Sequence, residues 1–310
     1  MSHATDYLVP QLDDPTPLAH VPAAVEYHRV YAGDGRRVGR GVLAIVLLLA
    51  GLVGSAQLFL LGADLIDTQV LGRTGSTPLQ QAAGALSLAV LIPWCMLVQR
   101  LLYGVPGRSL HSVAGRFRYD LFARALLTYG PLVLVAMSVA SLLEPGESVP
   151  WTTVDLVASF VIGMLLTPLA AAGEEYGLRG LMFRVVGGWT RGARSGAVLG
   201  VVVTTVFFSL VHGSLDPSIL TSYLVLFGSM AIITWRTGGL ETAVVLHAVY
   251  NVTALVLATT LHVDVGGALS SRAEATGSAA LLVPSAAFVL ITAVVWWRTR
   301  TTGPARTPAR

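Results

Sequence analysis

The chain has 310 residues, of which 54% are apolar and only 12% are charged. A soluble domain carries about 25% charged residues, so the composition excludes an ordinary soluble protein. All twenty basic residues are arginines scattered between apolar runs, which does not indicate a nucleic-acid partner in spite of the net charge of +3. The single cysteine, Cys95, excludes an intrachain disulfide and a cysteine metal cluster.

The chain begins with a polar, proline-containing segment, residues 1–40, which we expect to be a flexible cytoplasmic arm. Eight apolar runs follow, and most are close to the roughly 20 residues with which a helix crosses a bilayer. The runs cover residues 42–62, 81–99, 124–143, 154–173, 196–213, 219–235, 240–261 and 279–297. An arginine-rich tail, residues 298–310, ends the chain. The sequence therefore predicts an all-α, polytopic membrane protein with an eight-span domain over residues 41–297.

The arginines are distributed unevenly between the two sides that eight spans create. Eighteen of the twenty fall on the side of the N-terminus, and only Arg73 and Arg272 fall on the other side. Because arginine and lysine are enriched in cytoplasmic segments, we expect both termini in the cytoplasm and a multi-pass protein of the cell membrane.

A pair of carboxylates, Glu174 and Glu175, stands at the end of the fourth apolar run. A charge within the hydrocarbon costs about 2.5–3.5 kcal/mol on insertion scales, so such residues indicate a functional site. On a helix, Glu175 and Arg179 share a face, while Glu174 points about 100° away. One carboxylate can therefore be held by Arg179 while its neighbour stays open for chemistry. The alternative is a buried ion pair with a purely structural role.

Two histidines also lie within apolar runs, His212 on the fifth and His247 on the seventh. Asn251 follows His247 by four residues and shares its helix face. Each histidine taken singly is as well explained by a hydrogen bond to a neighbouring helix. Polar groups in a membrane bundle face inward, however, so we expect these residues to converge with the glutamates.

A convergence of this kind suits two chemistries. In the first, a glutamate in an apolar pocket takes a proton from water, and a neutral histidine and an asparagine amide donate hydrogen bonds to a tetrahedral oxyanion. In the second, Glu174, His212 and His247 bind Zn²⁺, because two histidines and one glutamate form a known catalytic ligand set. The sequence has no His-Glu-x-x-His segment to support a zinc site of that type.

The order of these motifs resembles that of the CPBP family, the CAAX proteases and bacteriocin-processing (Abi) proteases, which include type II CAAX prenyl endopeptidases. The resemblance covers about residues 110–262 and is carried by Glu174-Glu175-x-x-x-Arg179, Phe208-x-x-x-His212 and His247-x-x-x-Asn251. Leu178 departs from the aromatic residue that usually precedes the motif arginine.

The resemblance implies an intramembrane endopeptidase that works without a metal. Glu174 is then the base that activates water, His212 assists it, and His247 with Asn251 forms the oxyanion site. Glu175 and Arg179 brace the helix. For Glu174 and His212 to meet, the fourth helix has to continue past Arg179 toward Val186, and the fifth has to begin below the membrane or be tilted.

The expected substrate is a peptide or protein segment at the inner leaflet of the lipid bilayer. The alternative is a non-catalytic membrane protein, either a transporter or an immunity or scaffold protein, that uses the same polar cluster to bind an ion or to pack helices.

Overall fold

A computed structural model describes residue 18 and residues 20–33, 37–146, 148–263 and 273–309. Eight helices within these residues are long and apolar enough to cross a membrane, which confirms the predicted number of spans. Spans 1 to 8 cover Val38–Gln69, Pro78–Tyr103, Tyr119–Leu143, Thr153–Gly188, Ala193–Val211, Pro217–Thr237, Glu241–Thr260 and Ala279–Arg298. Residues 1–17 of the predicted arm lie outside the described residues, as do Arg36, Arg272 and Arg310.

The tight turns on both sides of span 6 follow from local side-chain chemistry. Asp216 caps the first turn by accepting hydrogen bonds from the backbone nitrogens of Ser218 (2.9 Å) and Ile219 (3.0 Å). Pro217 occupies the first helical position, where its missing N–H costs nothing. Gly238 ends the helix in the left-handed conformation, at a φ of 67°. The chain therefore reverses its direction within a few residues at each end of span 6.

Span 2 is interrupted at Val90, between the helices Pro78–Ala89 and Leu91–Tyr103. Pro93 explains the interruption, because its ring conflicts with the carbonyl group four residues earlier. Span 4 makes its closest approach to span 2 at this point. A Cβ atom on Gly173 would lie 1.9 Å from the carbonyl oxygen of Leu88, so only glycine fits there.

Span 4 is the longest of the eight helices that the structure describes, with 36 residues. At 1.5 Å per residue it is about 54 Å long, well beyond the ~30 Å of a bilayer core. A π-helical stretch, Tyr176–Met182, interrupts it directly after Glu175. Every residue from 175 to 188 is buried, so this end of the helix lies within protein.

Besides the neighbouring spans, three segments cover this buried helix end, namely residues 20–33, 104–118 and 299–309. We call the end of the bundle that they cover the capped end. Tyr27 and His28 are fully buried there, and the backbone nitrogen of Thr307 donates a hydrogen bond to the carbonyl oxygen of Val25 (2.8 Å). An isolated antiparallel bridge pairs Glu26 with Arg306.

Residues 20–33, a part of the expected flexible arm, are packed at the capped end. The aromatic rings of Tyr27 and Tyr31 are withdrawn from water, and this segment is fixed against the bundle. The tail residues 299–309 are likewise held by hydrogen bonds, including one from the Ala305 nitrogen to the Arg236 carbonyl oxygen (3.1 Å). The described parts of both terminal segments thus lie at one end of the bundle. That this end faces the cytoplasm stays a prediction from the arginine distribution.

Candidate active site

Glu175 is completely buried and is held from two sides. The guanidinium of Arg179 donates a hydrogen bond to its Oε1 atom at 3.0 Å, and Nδ1 of His247 lies 2.8 Å from the same oxygen. Arg179 also donates to the carbonyl oxygen of Phe227 (3.1 Å) and lies over the ring of Phe208, 4.6 Å from its centroid. Glu175 therefore joins the fourth span to the seventh, in addition to pairing with Arg179 along its own helix.

The neighbouring carboxylate, Glu174, differs from Glu175 in exposure. Its side chain is 18% exposed, and its Oε2 atom lies 3.5 Å from Nε2 of His247. The imidazole of His247 is thus flanked by two carboxylates, with one ring nitrogen facing each. Of the two adjacent glutamates, Glu175 is therefore fixed by two partners, and Glu174 is partly exposed.

His212 follows the last residue of span 5. Its Nδ1 atom lies 2.7 Å from the carbonyl oxygen of Phe208. A carbonyl only accepts hydrogen bonds, so Nδ1 carries the proton in this contact. The ring packs against Phe208, Phe227 and Tyr223, with centroid distances of 4.8, 4.8 and 4.9 Å.

Two stacked phenylalanine rings, those of Phe208 and Phe227, lie next to both His212 and His247. The rings of Phe208 and Phe227 are 4.1 Å apart, and His247 lies 6.0 Å from the first and 6.4 Å from the second. The motif of span 5 is thereby brought beside that of span 7. Phe227 was not among the candidate residues, because one aromatic residue in an apolar run gives no functional signal in the sequence.

Asn251 lies one helical turn after His247 on span 7 and is half-buried. Among the described residues, the structure gives no hydrogen bond to its side chain. Its assignment to the oxyanion site stays a prediction.

The length of span 4 reduces the difference in depth between Glu174 and His212 to about 7 Å. Glu174 lies 14 residues before Gly188, or about 21 Å from that end of the helix, and His212 lies 19 residues after Ala193, or about 28 Å. Both distances are counted from the same end of the bundle, because Gly188 and Ala193 are joined by a short connection. The helix continues past Arg179, as the family resemblance requires.

The start of span 7 is anchored to the loop of residues 104–118. Arg118 forms a buried two-pronged ion pair with Glu241, with N–O distances of 2.9 and 2.7 Å. The backbone nitrogen of Leu240 donates to the carbonyl oxygen of His111 (3.0 Å), and the His111 side chain contacts the Tyr176 hydroxyl. Burial lowers the pKa of His111, so its ring is neutral near pH 7. The loop therefore fixes His247 relative to the π-helical stretch.

The zinc alternative does not fit this arrangement. Within the described ranges, no three side chains of histidine, cysteine, aspartate or glutamate are grouped so that they could hold a metal ion. Both nitrogens of His247 face carboxylates. Glu174, His212 and His247 thus do not form a preassembled ligand set.

Residues 154–253 match the family model described as type II CAAX prenyl endopeptidase, Rce1-like. This segment carries all three motifs of the site. No curated protein and no solved structure matches the chain. The chain is a multi-pass membrane protein, and its segment 154–253 is similar to the type II CAAX prenyl endopeptidases of the Rce1-like family.

Proposed function

We propose that the protein is an intramembrane endopeptidase of the CAAX protease type, which hydrolyses a peptide bond in a membrane-associated peptide or protein near the inner leaflet of the cell membrane. The observation that carries the proposal is the division of the adjacent glutamates around His247. Glu175 is locked by Arg179 and His247, and Glu174 is the partly exposed carboxylate beside the same ring.

In the proposed mechanism, Glu174 removes a proton from water, and Nε2 of His212 assists by accepting a hydrogen bond from that water. The water oxygen attacks the carbonyl carbon of the scissile bond, and the carbonyl oxygen becomes an oxyanion. The protonated Glu174 then returns the proton to the amide nitrogen as the C–N bond breaks. The products are a new carboxylic acid and a new amine, and passage of the acid proton to the amine gives a carboxylate and an ammonium group, so protons and charge balance.

The oxyanion is stabilised by hydrogen bonds from His247 and Asn251. Nδ1 of His247 faces Glu175, and its Nε2, on the Glu174 side of the ring, is assigned the donor role toward the oxyanion. The pairing of Glu175 with Arg179 limits the cost of keeping charges at membrane depth.

The proposal is tested with Glu174→Gln, which keeps the shape of the side chain and removes the base. Membranes from cells that express the wild type or the variant at equal levels are compared for new protein termini by mass spectrometry. We expect cleavage products that are present with the wild type and lost with Glu174→Gln. Asp120→Asn is the matched control, because it makes the same chemical change at an exposed helix end, and it should keep the products.

Equal terminal peptides with the wild type and with Glu174→Gln would contradict a glutamate-dependent protease. Proton-coupled uptake that is lost in the same variant would support the transporter alternative instead.

A further inference from the structure

Arginines from two helices lie together at the capped end, where span 1 begins and span 2 ends. Arg40, on the first turn of span 1, places its guanidinium carbon 5.8 Å from the ring centroid of Tyr103, the last residue of span 2. Arg37 is the N-cap residue of span 1. Arg100 lies three residues before Tyr103 and so shares its side of the helix. Spans 1 and 2 therefore present positive charge at the same place.

Arg108 joins this group through the loop that follows span 2. Gly107 packs against Met96, since a Cβ atom on this glycine would lie 2.7 Å from the Met96 Cβ atom. Met96 belongs to the last two turns of span 2, so the loop folds back and places Arg108 next to the same helix end. We call Arg37, Arg40, Arg100 and Arg108 the arginine cluster.

The side chains of the arginine cluster are accessible from outside the protein. Arg40 is half-buried, and the other three are exposed. None of the four guanidinium groups forms an ion pair or a hydrogen bond with any residue that the structure describes. Arg124, by contrast, is exposed on span 3 but is paired with Asp120. The N–H donors of the cluster are therefore open to an external anion.

An apolar surface continues from the arginine cluster toward the middle of the membrane. Leu43 follows Arg40 by three residues on span 1, and Leu97 precedes the arginine of span 2 by three, so each leucine shares a helix face with an arginine. Both leucines are 46% exposed. Deeper in the bundle the two spans meet, where Nε1 of Trp94 donates a hydrogen bond to the carbonyl oxygen of Leu47 (2.8 Å). The exposed leucines thus lie between the arginines and this contact.

We propose that the arginine cluster binds the phosphate headgroup of an anionic phospholipid in the adjoining leaflet, with the acyl chains against Leu43 and Leu97. Guanidinium groups match the geometry of phosphate oxygens and donate charge-assisted hydrogen bonds to them. Four positive charges favour an anionic lipid over a zwitterionic one, and the apolar surface favours a lipid over a soluble phosphate. The bound lipid joins spans 1 and 2 at the capped end, and the site is separate from the proposed catalytic residues.

The test is native mass spectrometry of the purified full-length protein in detergent, titrated with dioleoyl phosphatidylglycerol or dioleoyl phosphatidylcholine. These lipids have the same acyl chains and differ in the charge of the headgroup. We expect the first phosphatidylglycerol to bind about tenfold more tightly than the first phosphatidylcholine. The double variant Arg40→Gln with Arg100→Gln should weaken phosphatidylglycerol binding roughly 10- to 30-fold, because each arginine near an anionic headgroup contributes about fivefold. Its phosphatidylcholine binding should not change.

Arg191→Gln with Arg194→Gln is the matched control. Both arginines are exposed at the connection between spans 4 and 5, at the same end of the bundle, and their replacement removes the same net charge. This variant should keep the wild-type affinity for phosphatidylglycerol. Equal losses of affinity in the two double variants would overturn the proposal, because the lipid would then respond to the overall positive charge of this end and not to the cluster.

Two further outcomes would also overturn the proposal. One is equal affinity of the wild type for phosphatidylglycerol and phosphatidylcholine. The other is displacement of phosphatidylglycerol by an excess of inorganic phosphate, which would indicate a site for a soluble anion. Photo-crosslinking locates the site without any variant, since phosphatidylglycerol with a photoreactive headgroup should label residues 37–43 and 97–108 of the wild type. Labelling confined to other segments would contradict the assignment.

Discussion

At the scale of single residues, the two adjacent glutamates have different tasks because they face different surroundings. Oε1 of Glu175 accepts hydrogen bonds from both Arg179 and His247, and the side chain is fully buried. Glu174 touches the same imidazole but keeps part of its surface open. The first carboxylate is suited to holding the site together, and the second is suited to reacting.

Glu175→Gln should therefore destabilise the protein more than Glu174→Gln does. Removing one partner from a buried ion pair leaves the other charge unpaired and costs about 3–5 kcal/mol. We expect a clearly lower Tm for purified Glu175→Gln and reduced cleavage, because His247 loses its hydrogen-bond acceptor. Glu174→Gln should lose cleavage at a Tm near that of the wild type.

A double variant, Glu175→Leu with Arg179→Met, serves as the control. Replacing both charges by apolar groups removes the unpaired arginine, so part of the lost Tm should return while activity should not. A Glu175→Gln protein as stable as the wild type would show that the buried pair does not have this structural role.

The sequence predicts which residues form the candidate site but not their contacts. Four-residue spacing predicts that Glu175 and Arg179 meet, since that contact depends on one helix alone. The bond from His247 to Glu175 and the packing of Phe227 against both histidines depend on how four helices rotate and slide against each other. Nothing in a single sequence fixes those relative positions.

At the scale of helices, the position of the site depends on a close contact between spans 2 and 4. Gly173 precedes Glu174 and lies against the backbone of Leu88, next to the interruption at Val90. A backbone carbonyl cannot turn aside as a flexible side chain can. This contact therefore sets how far Glu174 projects toward span 7.

Gly173→Ala should push spans 2 and 4 apart, because the added methyl group would lie 1.9 Å from the Leu88 oxygen. Overpacking of this kind costs about 1–3 kcal/mol, and the shift of Glu174 should reduce cleavage as well. The measurements are Tm and product formation. Gly84→Ala is the matched control on span 2, where an added Cβ meets nothing within 4 Å. If the two variants behaved alike, the contact would have no such importance.

The form of span 4 was only partly predictable. The apolar run 154–173 ends at the glutamates, and the helix that the structure gives continues to Gly188. Residues 174–188 include four charged side chains, which is why hydropathy alone ended the span early. The π-helical stretch Tyr176–Met182 has no sequence signature, and its appearance directly after the glutamates agrees with the frequent location of such turns at functional sites.

At the scale of the whole molecule, the eight spans followed from hydropathy, but the packing of the terminal segments did not. Residues 299–309 are rich in threonine and proline, and such sequences usually remain in solvent, while residues 20–33 are too few to give a hydropathy signal for a span. Their attachment depends on a few well-placed side chains, such as Tyr27 and Thr307, whose partners lie far away along the chain.

The docking of residues 20–33 should weaken in acid because of His28. Burial lowers the pKa of His28 from 6.5 to about 4, although the nearby carboxylate of Glu26 acts in the opposite direction. The undocked segment thus binds a proton more readily than the docked one. The attachment is complete above pH 6.5 and loses about 3 kcal/mol as the pH falls from 6.5 toward 4.

Amide hydrogen exchange of residues 25–33 at pH 7 and pH 5, corrected for the intrinsic exchange rate, measures this effect. We expect faster exchange at pH 5 in the wild type. His28→Gln keeps a donor for the Ala193 carbonyl oxygen but does not titrate, so its exchange should be the same at both pH values. Protection of the wild-type segment that is equal at pH 5 and pH 7 would contradict the assignment to His28.

The bridge between Glu26 and Arg306 also makes the polypeptide nearly a ring. Residues separated by almost the full length of the chain are neighbours, so a short peptide linker can join them without disturbing any span. The packing of the helices therefore does not depend on which peptide bond of this ring is left open. A circular permutant with these segments joined, and with new ends in the exposed turn at residues 70–76, should keep the same arrangement of helices.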